Sequence, residues 1–159
     1  MVKKISALIA ISFVMLLFVG CRKGEKPCEE RYPSQDLPEM KKYAEKIGMN
    51  YTVDETGILY EIVTPGEGAN PTIASSITVK YTGKLLNDVI FDSNQTGATF
   101  ALSGLIGGWQ MALPKLKPGG KIKLILPSNK YYSYGCSDYF PAVKNQILYF
   151  DIELVKINN

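Results

Sequence analysis

The residues of this chain best suited to chemistry are aromatic side chains set beside turn and strand-end residues. They are Tyr81 before Thr82-Gly83, Phe91 beside Asp92, Trp109 after Ile106-Gly107-Gly108, Tyr134 before Gly135, and Phe150 beside Asp151. The chain holds no His, and its 3 Cys show no repeated ligand spacing. No Gly-rich phosphate loop accompanies them. Neither a metal site nor a histidine proton shuttle fits that inventory, so no metal and no cofactor are expected. What remains is a pocket that acts by taking its occupant out of water. A bond that responds to such treatment is the one before proline, whose cis and trans forms lie close in energy behind a barrier of roughly 18–20 kcal/mol.

Those side chains need strands to carry them. From Tyr51 onward apolar residues recur with period two: Ile58, Tyr60 and Ile62; Ile77, Val79 and Tyr81; Ile122, Leu124 and Leu126; Leu148, Phe150, Ile152 and Leu154. Phe100 and Leu102 alternate in the same way before Gly104. Asn87-Asp88 lies between two apolar stretches and tolerates positive φ, which predicts a tight hairpin. Ile106, Trp109, Leu113 and Leu116 instead fall near helical spacing. Pro114 would remove the bond to the Gln110 carbonyl, so that helix should run from about Gly107 to Leu113. Strands in series with one short helix over their apolar face predict an α+β fold, a curved antiparallel sheet wrapped around the helix.

The N-terminus reads differently. Lys3-Lys4, the apolar run from Ile5 to Val19, and Gly20-Cys21 have the form of an export signal over residues 1–20. Phe18-Val19-Gly20-Cys21 resembles the lipobox of bacterial lipoproteins, which makes Cys21 the lipid attachment site and places the protein in the bacterial cell envelope, facing the periplasm or the exterior. Cleavage there takes two lysines from the 18 Lys and Arg, leaving 16 against 15 Asp and Glu. A near-neutral chain of this kind offers no basic stripe for nucleic acid. Residues 22–36 are polar and hold Pro27 and Pro33, which predicts a flexible tether. Leu37, Met40, Ala44 and Ile47 then recur at helical spacing between Pro38 and Gly48, so a short amphipathic helix closes a segment spanning residues 21–50. Length and an apolar content of 46 % allow one ordinary core in the remainder of the chain, residues 51–159. Outside the cytoplasm Cys28 and Cys136 can pair or stay free; the count alone does not decide.

Several separate blocks then agree in order with one family. Val79-Lys80-Tyr81-Thr82-Gly83-Lys84-Leu85, Phe91-Asp92-Ser93, Gly108-Trp109, Gly119-Gly120-Lys121, Leu126-Pro127, Tyr134-Gly135 and Leu148-Tyr149-Phe150-Asp151-Ile152-Glu153-Leu154 resemble the FKBP-type peptidyl-prolyl isomerases over roughly residues 57–157. The resemblance implies a pocket between sheet and helix that receives a proline ring. Trp109 would form its floor, Tyr81, Phe91 and Phe150 its walls, and Leu105 and Ile106 its rim. The Ile106 amide and the Tyr134 hydroxyl would bond substrate carbonyls, while Asp92 would accept from Tyr81 and add a fixed negative field. The partners implied are proline-containing polypeptides, with a monomer held at a membrane through Cys21. A membrane-anchored chaperone or peptide-binding module with negligible turnover is the rival reading. The sequence departs from the family between Pro127 and Tyr134, where about two extra residues let Tyr132 compete with Tyr134 for the carbonyl, and Ala98 stands where a second aromatic is usual.

Overall fold

The computed structural model describes residues 27–158. In chain order the elements are α1 (Pro33–Lys46), β1 (Thr52–Val53), β2 (Leu59–Thr64), β3 (Ser76–Leu85), β4 (Ile90–Ala101), α2 (Gly107–Ala112), β5 (Gly120–Leu126) and β6 (Leu148–Asn158). Short 3-10 turns cover Leu102–Gly104, Leu113–Lys115 and Pro141–Val143. The strands form one antiparallel sheet in the order β1-β2-β5-β6-β3-β4. The signal-like run and Cys21 lie outside the described residues. Among the described residues no helix is long and apolar enough to cross a membrane.

Period-two alternation gives the sheet two buried faces. The concave face carries Ile58, Ile77, Val79, Ile122, Leu124, Leu126, Leu148, Phe150, Ile152 and Leu154, and α2 closes it with Trp109 and Ala112. Leu59, Ile125 and Tyr149 point the opposite way, and α1 covers them with Met40, Tyr43 and Ala44. Removing this apolar surface from water is the main force holding each layer on the sheet. The β3–β4 hairpin turns at Asp88, whose φ is +67°, with the Leu85 N–H donating to the Val89 carbonyl at 2.9 Å. Helix α2 gives way to a 3-10 turn at Leu113, as the missing donor of Pro114 requires.

Two expectations for the N-terminal part need correction. Helix α1 begins at Pro33, a full turn before Pro38, because Pro33 occupies the first helical position and the Gln35 side chain accepts from the Tyr32 N–H at 2.7 Å. Pro38 sits inside the helix instead. The segment predicted as a flexible tether is fixed over its described part, residues 27–36. Cys28 is bonded to Cys136, and Asp36, fully buried, accepts from the Ser128 N–H at 2.7 Å. These partners lie about a hundred residues downstream, where no local sequence pattern could reveal them.

Candidate active site

Register brings the site together. Phe150 faces Gly83 across the β6–β3 ladder, and Gly83 faces Asp92 across β3–β4, so the three form one row across the sheet. Gly83 is required there: a Cβ would lie 2.7 Å from the Phe91 ring and 2.8 Å from the Phe150 ring. Its absence lets both rings rest on the strand. Tyr81, two residues earlier on β3, points to the same face and donates its hydroxyl to Asp92 Oδ2 at 2.8 Å.

Trp109 comes from α2 and stands edge-on to two neighbours, with ring centroids 5.2 Å from Tyr81 and 5.2 Å from Phe150. The edge-to-face arrangement sets the electropositive rim of one ring on the electron-rich face of the next. Trp109 is 4 % exposed and Phe150 3 %, so both form floor rather than rim. A cleft of about 130 Å³ opens above them, lined by Tyr81, Asp92, Phe100, Leu105, Ile106, Trp109, Tyr134 and Phe150. The rings are therefore not packed solid against one another.

Of the residues expected at the site, Tyr81, Asp92, Ile106, Trp109, Tyr134 and Phe150 share this cleft. Phe91 stands one ring back, its centroid 5.6 Å from Phe150, and lines the adjoining depression with Asp92, Tyr134 and Phe140. Tyr134, not Tyr132, reaches the cleft; Tyr132 packs against the core and its carbonyl accepts from the Gly108 N–H at 3.0 Å. Phe100 belongs to the lining, although the sequence pattern marks it only as a strand residue. The pairing Ile77↔Phe100 places it on the inward face, but only after register shifts along β4 that period-two counting from the hairpin does not reveal. Cys21 lies outside the described residues.

The polar groups at the mouth are few. The Ile106 N–H precedes the first turn of α2, outside the helix's own hydrogen bonds, while the Ile106 carbonyl accepts from the Trp109 and Gln110 N–H groups. The Gln110 side chain donates to the Leu105 carbonyl at 2.6 Å and holds that rim in shape. Burial, then the bond to the Asp92 carboxylate, raises the Tyr81 hydroxyl far above its ordinary pKa. Burial and the Asp92 charge raise Tyr134 as well. Both therefore remain donors across the neutral range. The buried Trp109 Nε1–H has no acceptor among the described residues. No cluster of His, Cys, Asp and Glu suited to a metal occurs among the described residues.

Residues 67–155, more than half the chain, match the family described as FKBP-type peptidyl-prolyl cis-trans isomerase. The chain belongs to that family. Among its FKBP-type relatives, the FkpA isomerase of Buchnera aphidicola (subsp. Schizaphis graminum) is 44% identical over 124 residues, covering 76% of this chain and 48% of the relative. FkpA of Escherichia coli is 34% identical over 122 residues, covering 74% and 44%. The chain thus spans about half the length of the curated relatives it matches. The crystal structure of Escherichia coli FkpA superposes with a TM-score of 0.66 at 32% identity, over 79% of this chain and 61% of that one. An isomerase from Pseudomonas syringae pv. tomato superposes at 0.63 with 26% identity, over 82% and 99%. The curved sheet with its short covering helix is the FKBP fold.

Proposed function

We propose that this protein is a peptidyl-prolyl cis-trans isomerase that accelerates rotation about Xaa-Pro bonds in exported polypeptides. The observation that carries the reading is the open aromatic cleft, floored by Trp109 and Phe150 and bordered by Tyr81, Asp92 and Tyr134. Membership of the FKBP family supports it.

Physical chemistry connects that cleft to the reaction. Resonance makes the planar prolyl amide strongly dipolar, and water stabilises that form more than the twisted one, in which conjugation is lost. An apolar cup therefore disfavours the planar ground state relative to the transition state. In this reading the Ile106 N–H and the Tyr134 hydroxyl would hold flanking carbonyls of the bound peptide. The carboxylate of Asp92, steadied by Tyr81, sets a negative field at the edge of the cup. No covalent intermediate and no proton transfer are needed. Lowering the barrier by ~5 kcal/mol gives about four decades in rate.

We infer further that Cys21 carries a lipid and tethers the protein in the cell envelope. The Lys3-Lys4 and Ile5 to Val19 pattern supports this. So does the Cys28–Cys136 bond, since disulfides persist in oxidising compartments. Replacing Cys21 is expected to release the protein from membranes without lowering turnover.

A protease-coupled assay on an Xaa-Pro peptide tests the central reading. Wild type should accelerate the exchange, and the double variant Phe91→Leu plus Trp109→Leu should not. Equal, slow exchange by both, with both still suppressing aggregation of a client, would favour a peptide-binding chaperone instead.

A further inference from the structure

Tyr134 is held by a loop that the sheet itself scarcely supports. The connection between β5 and β6 runs over residues 127–147 with only one short 3-10 turn, and a loop of this length usually has no fixed shape unless something else supplies it. Beyond the loop's own turns and the bond from the Gly108 N–H to the Tyr132 carbonyl, the N-terminal segment supplies it. Cys28 is bonded to Cys136. The Asn145 side chain donates to the Glu29 carbonyl at 3.2 Å. The Glu30 carboxylate accepts from the Lys130 N–H at 3.1 Å and from the Cys136 N–H at 3.0 Å. Asp36, buried and paired with Arg31 Nε at 2.8 Å, accepts from the Ser128 N–H.

Gly135 shows how closely the two segments are fitted. It has a φ of +54°, and a Cβ on it would collide with Glu30 Oε1 and come 2.7 Å from the Lys130 nitrogen. The carboxylate thus occupies the space that the missing side chain leaves, directly beside the residue that follows Tyr134. Across the same neck the Gly135 N–H donates to the Ser128 carbonyl at 3.0 Å. Every tie enters within a few residues of Tyr134 or at the root of its loop.

We propose that residues Cys28 to Asp36 form a brace whose task is to position the Tyr134 hydroxyl at the mouth of the cleft, with Glu30 and the Cys28–Cys136 bond as its positioning residues. The inference rests on the isomerase reading for its kinetic consequence, though not for its structural one. None of the brace residues lines the cleft. Their effect passes through the loop backbone, and small misplacement of a group that holds substrate is costly to rate. The brace also makes the segment read as a membrane tether from sequence a working part of the pocket.

The test is a double-mutant cycle on the full chain, using kcat/KM for an Xaa-Pro peptide. Glu30→Ala, and separately Cys28→Ser plus Cys136→Ser, should each lower kcat/KM by about tenfold. Glu30→Gln, which keeps one acceptor oxygen, should recover part of the loss. In a Tyr134→Phe background the same changes should have less than about a twofold further effect, because the group they position is already gone. Losses that multiply unchanged in that background, or no loss from either brace variant, would overturn the proposal. The tyrosine ring resonances of Tyr134, followed by NMR in the same proteins, separate this from the isomerase reading. Broadening or shifting at Tyr134 with Tyr43 and Tyr149 unmoved supports the brace even if the wild type lacks turnover. A Tyr134 signal unmoved by either variant contradicts it.

Discussion

The two faces of the sheet carry the same polar device to different ends. On the convex face Tyr43 donates to Asp88 Oδ1 at 2.8 Å, and Lys46 completes the group by reaching Asp88 Oδ2 at 2.7 Å. On the concave face Tyr81 donates to Asp92 Oδ2 at the same 2.8 Å, but no cation pairs with Asp92 among the described residues. The first arrangement pins helix α1 to the β3–β4 turn. The second leaves a carboxylate with its field intact at the mouth of a cleft. The aromatic pairs differ likewise. Tyr43 and Tyr149 meet edge-on at 5.8 Å beneath α1, among Met40, Met49 and Ile125. Trp109, Tyr81 and Phe150 meet edge-on and still leave about 130 Å³ open. Aromatic clustering and a tyrosine–carboxylate bond therefore do not mark a site by themselves. What sets the concave group apart is that its rings floor a cleft shared with Tyr134 and with Asp92, a carboxylate that has no cation partner among the described residues.

Substitutions can break this contrast from either side. The largest effect on stability is expected from Met40→Ala, since Met40 is fully buried between α1 and the sheet. Chemical denaturation should show a loss of about 2–5 kcal/mol, with kcat/KM unchanged while the protein remains folded. Trp109→Leu should do the reverse in emphasis, lowering kcat/KM by one to two decades, or about 1.4–2.7 kcal/mol of transition-state stabilisation. A turnover loss from Met40→Ala in folded protein would erase the distinction between the faces.

A finer comparison uses the two hydroxyls. Tyr81→Phe should lower kcat/KM by about two- to tenfold, the equivalent of a hydrogen bond worth ~0.5–1.5 kcal/mol. Tyr43→Phe should cost stability of a similar size and leave turnover alone. Equal kinetic effects from both would show that neither bond is specific to the site.

The pH dependence sharpens the same point with the smallest effects. Tyr43, Tyr81, Tyr134 and Tyr149 are all raised by burial first, Tyr149 to about 12. A group whose pKa is higher folded than unfolded binds its proton more tightly in the native state. Its contribution to stability is complete below the ordinary tyrosine value of about 10 and is lost as pH climbs beyond it. Equilibrium unfolding should therefore be unaffected by these tyrosines from pH 7 to about 9 and weaken above 10. Turnover should be flat from about pH 6 to 8, there being no His in the chain. Asp88 is lowered, first by the Lys46 bond and then by Tyr43, so its share of stability persists above the ordinary carboxylate range and disappears only as acid reaches its depressed value. A steep change of turnover between pH 6 and 8 would point to a titrating group in the site.

Much of the concave face is legible in the sequence because its signals are local. Period-two alternation places Tyr81 and Phe150 inward, Pro114 ends α2, and Asn87-Asp88 marks the hairpin turn. The order of the aromatic blocks then points to the family. What escapes depends on register or on distant partners. Phe100 lines the cleft because β4 slips relative to β3 between Gly83 and Lys84, which reverses the face that counting from the Lys84↔Ile90 pair would give. The second face is hidden because Leu59, Ile125 and Tyr149 look like the outer positions of a half-exposed sheet until α1 is laid over them. The brace is hidden for a related reason. Glu30 and Asp36 read as tether charges, and only their contacts with Lys130, Cys136 and Ser128 give them a role.

The most direct test of the mechanism is NMR exchange spectroscopy on an Xaa-Pro peptide with a catalytic amount of the full chain, in ordinary water and in deuterium oxide. Burial without proton transfer predicts faster cis-trans exchange than the free peptide shows, equal in the two solvents. Exchange no faster than that of the free peptide, or a marked slowing in deuterium oxide, would contradict it.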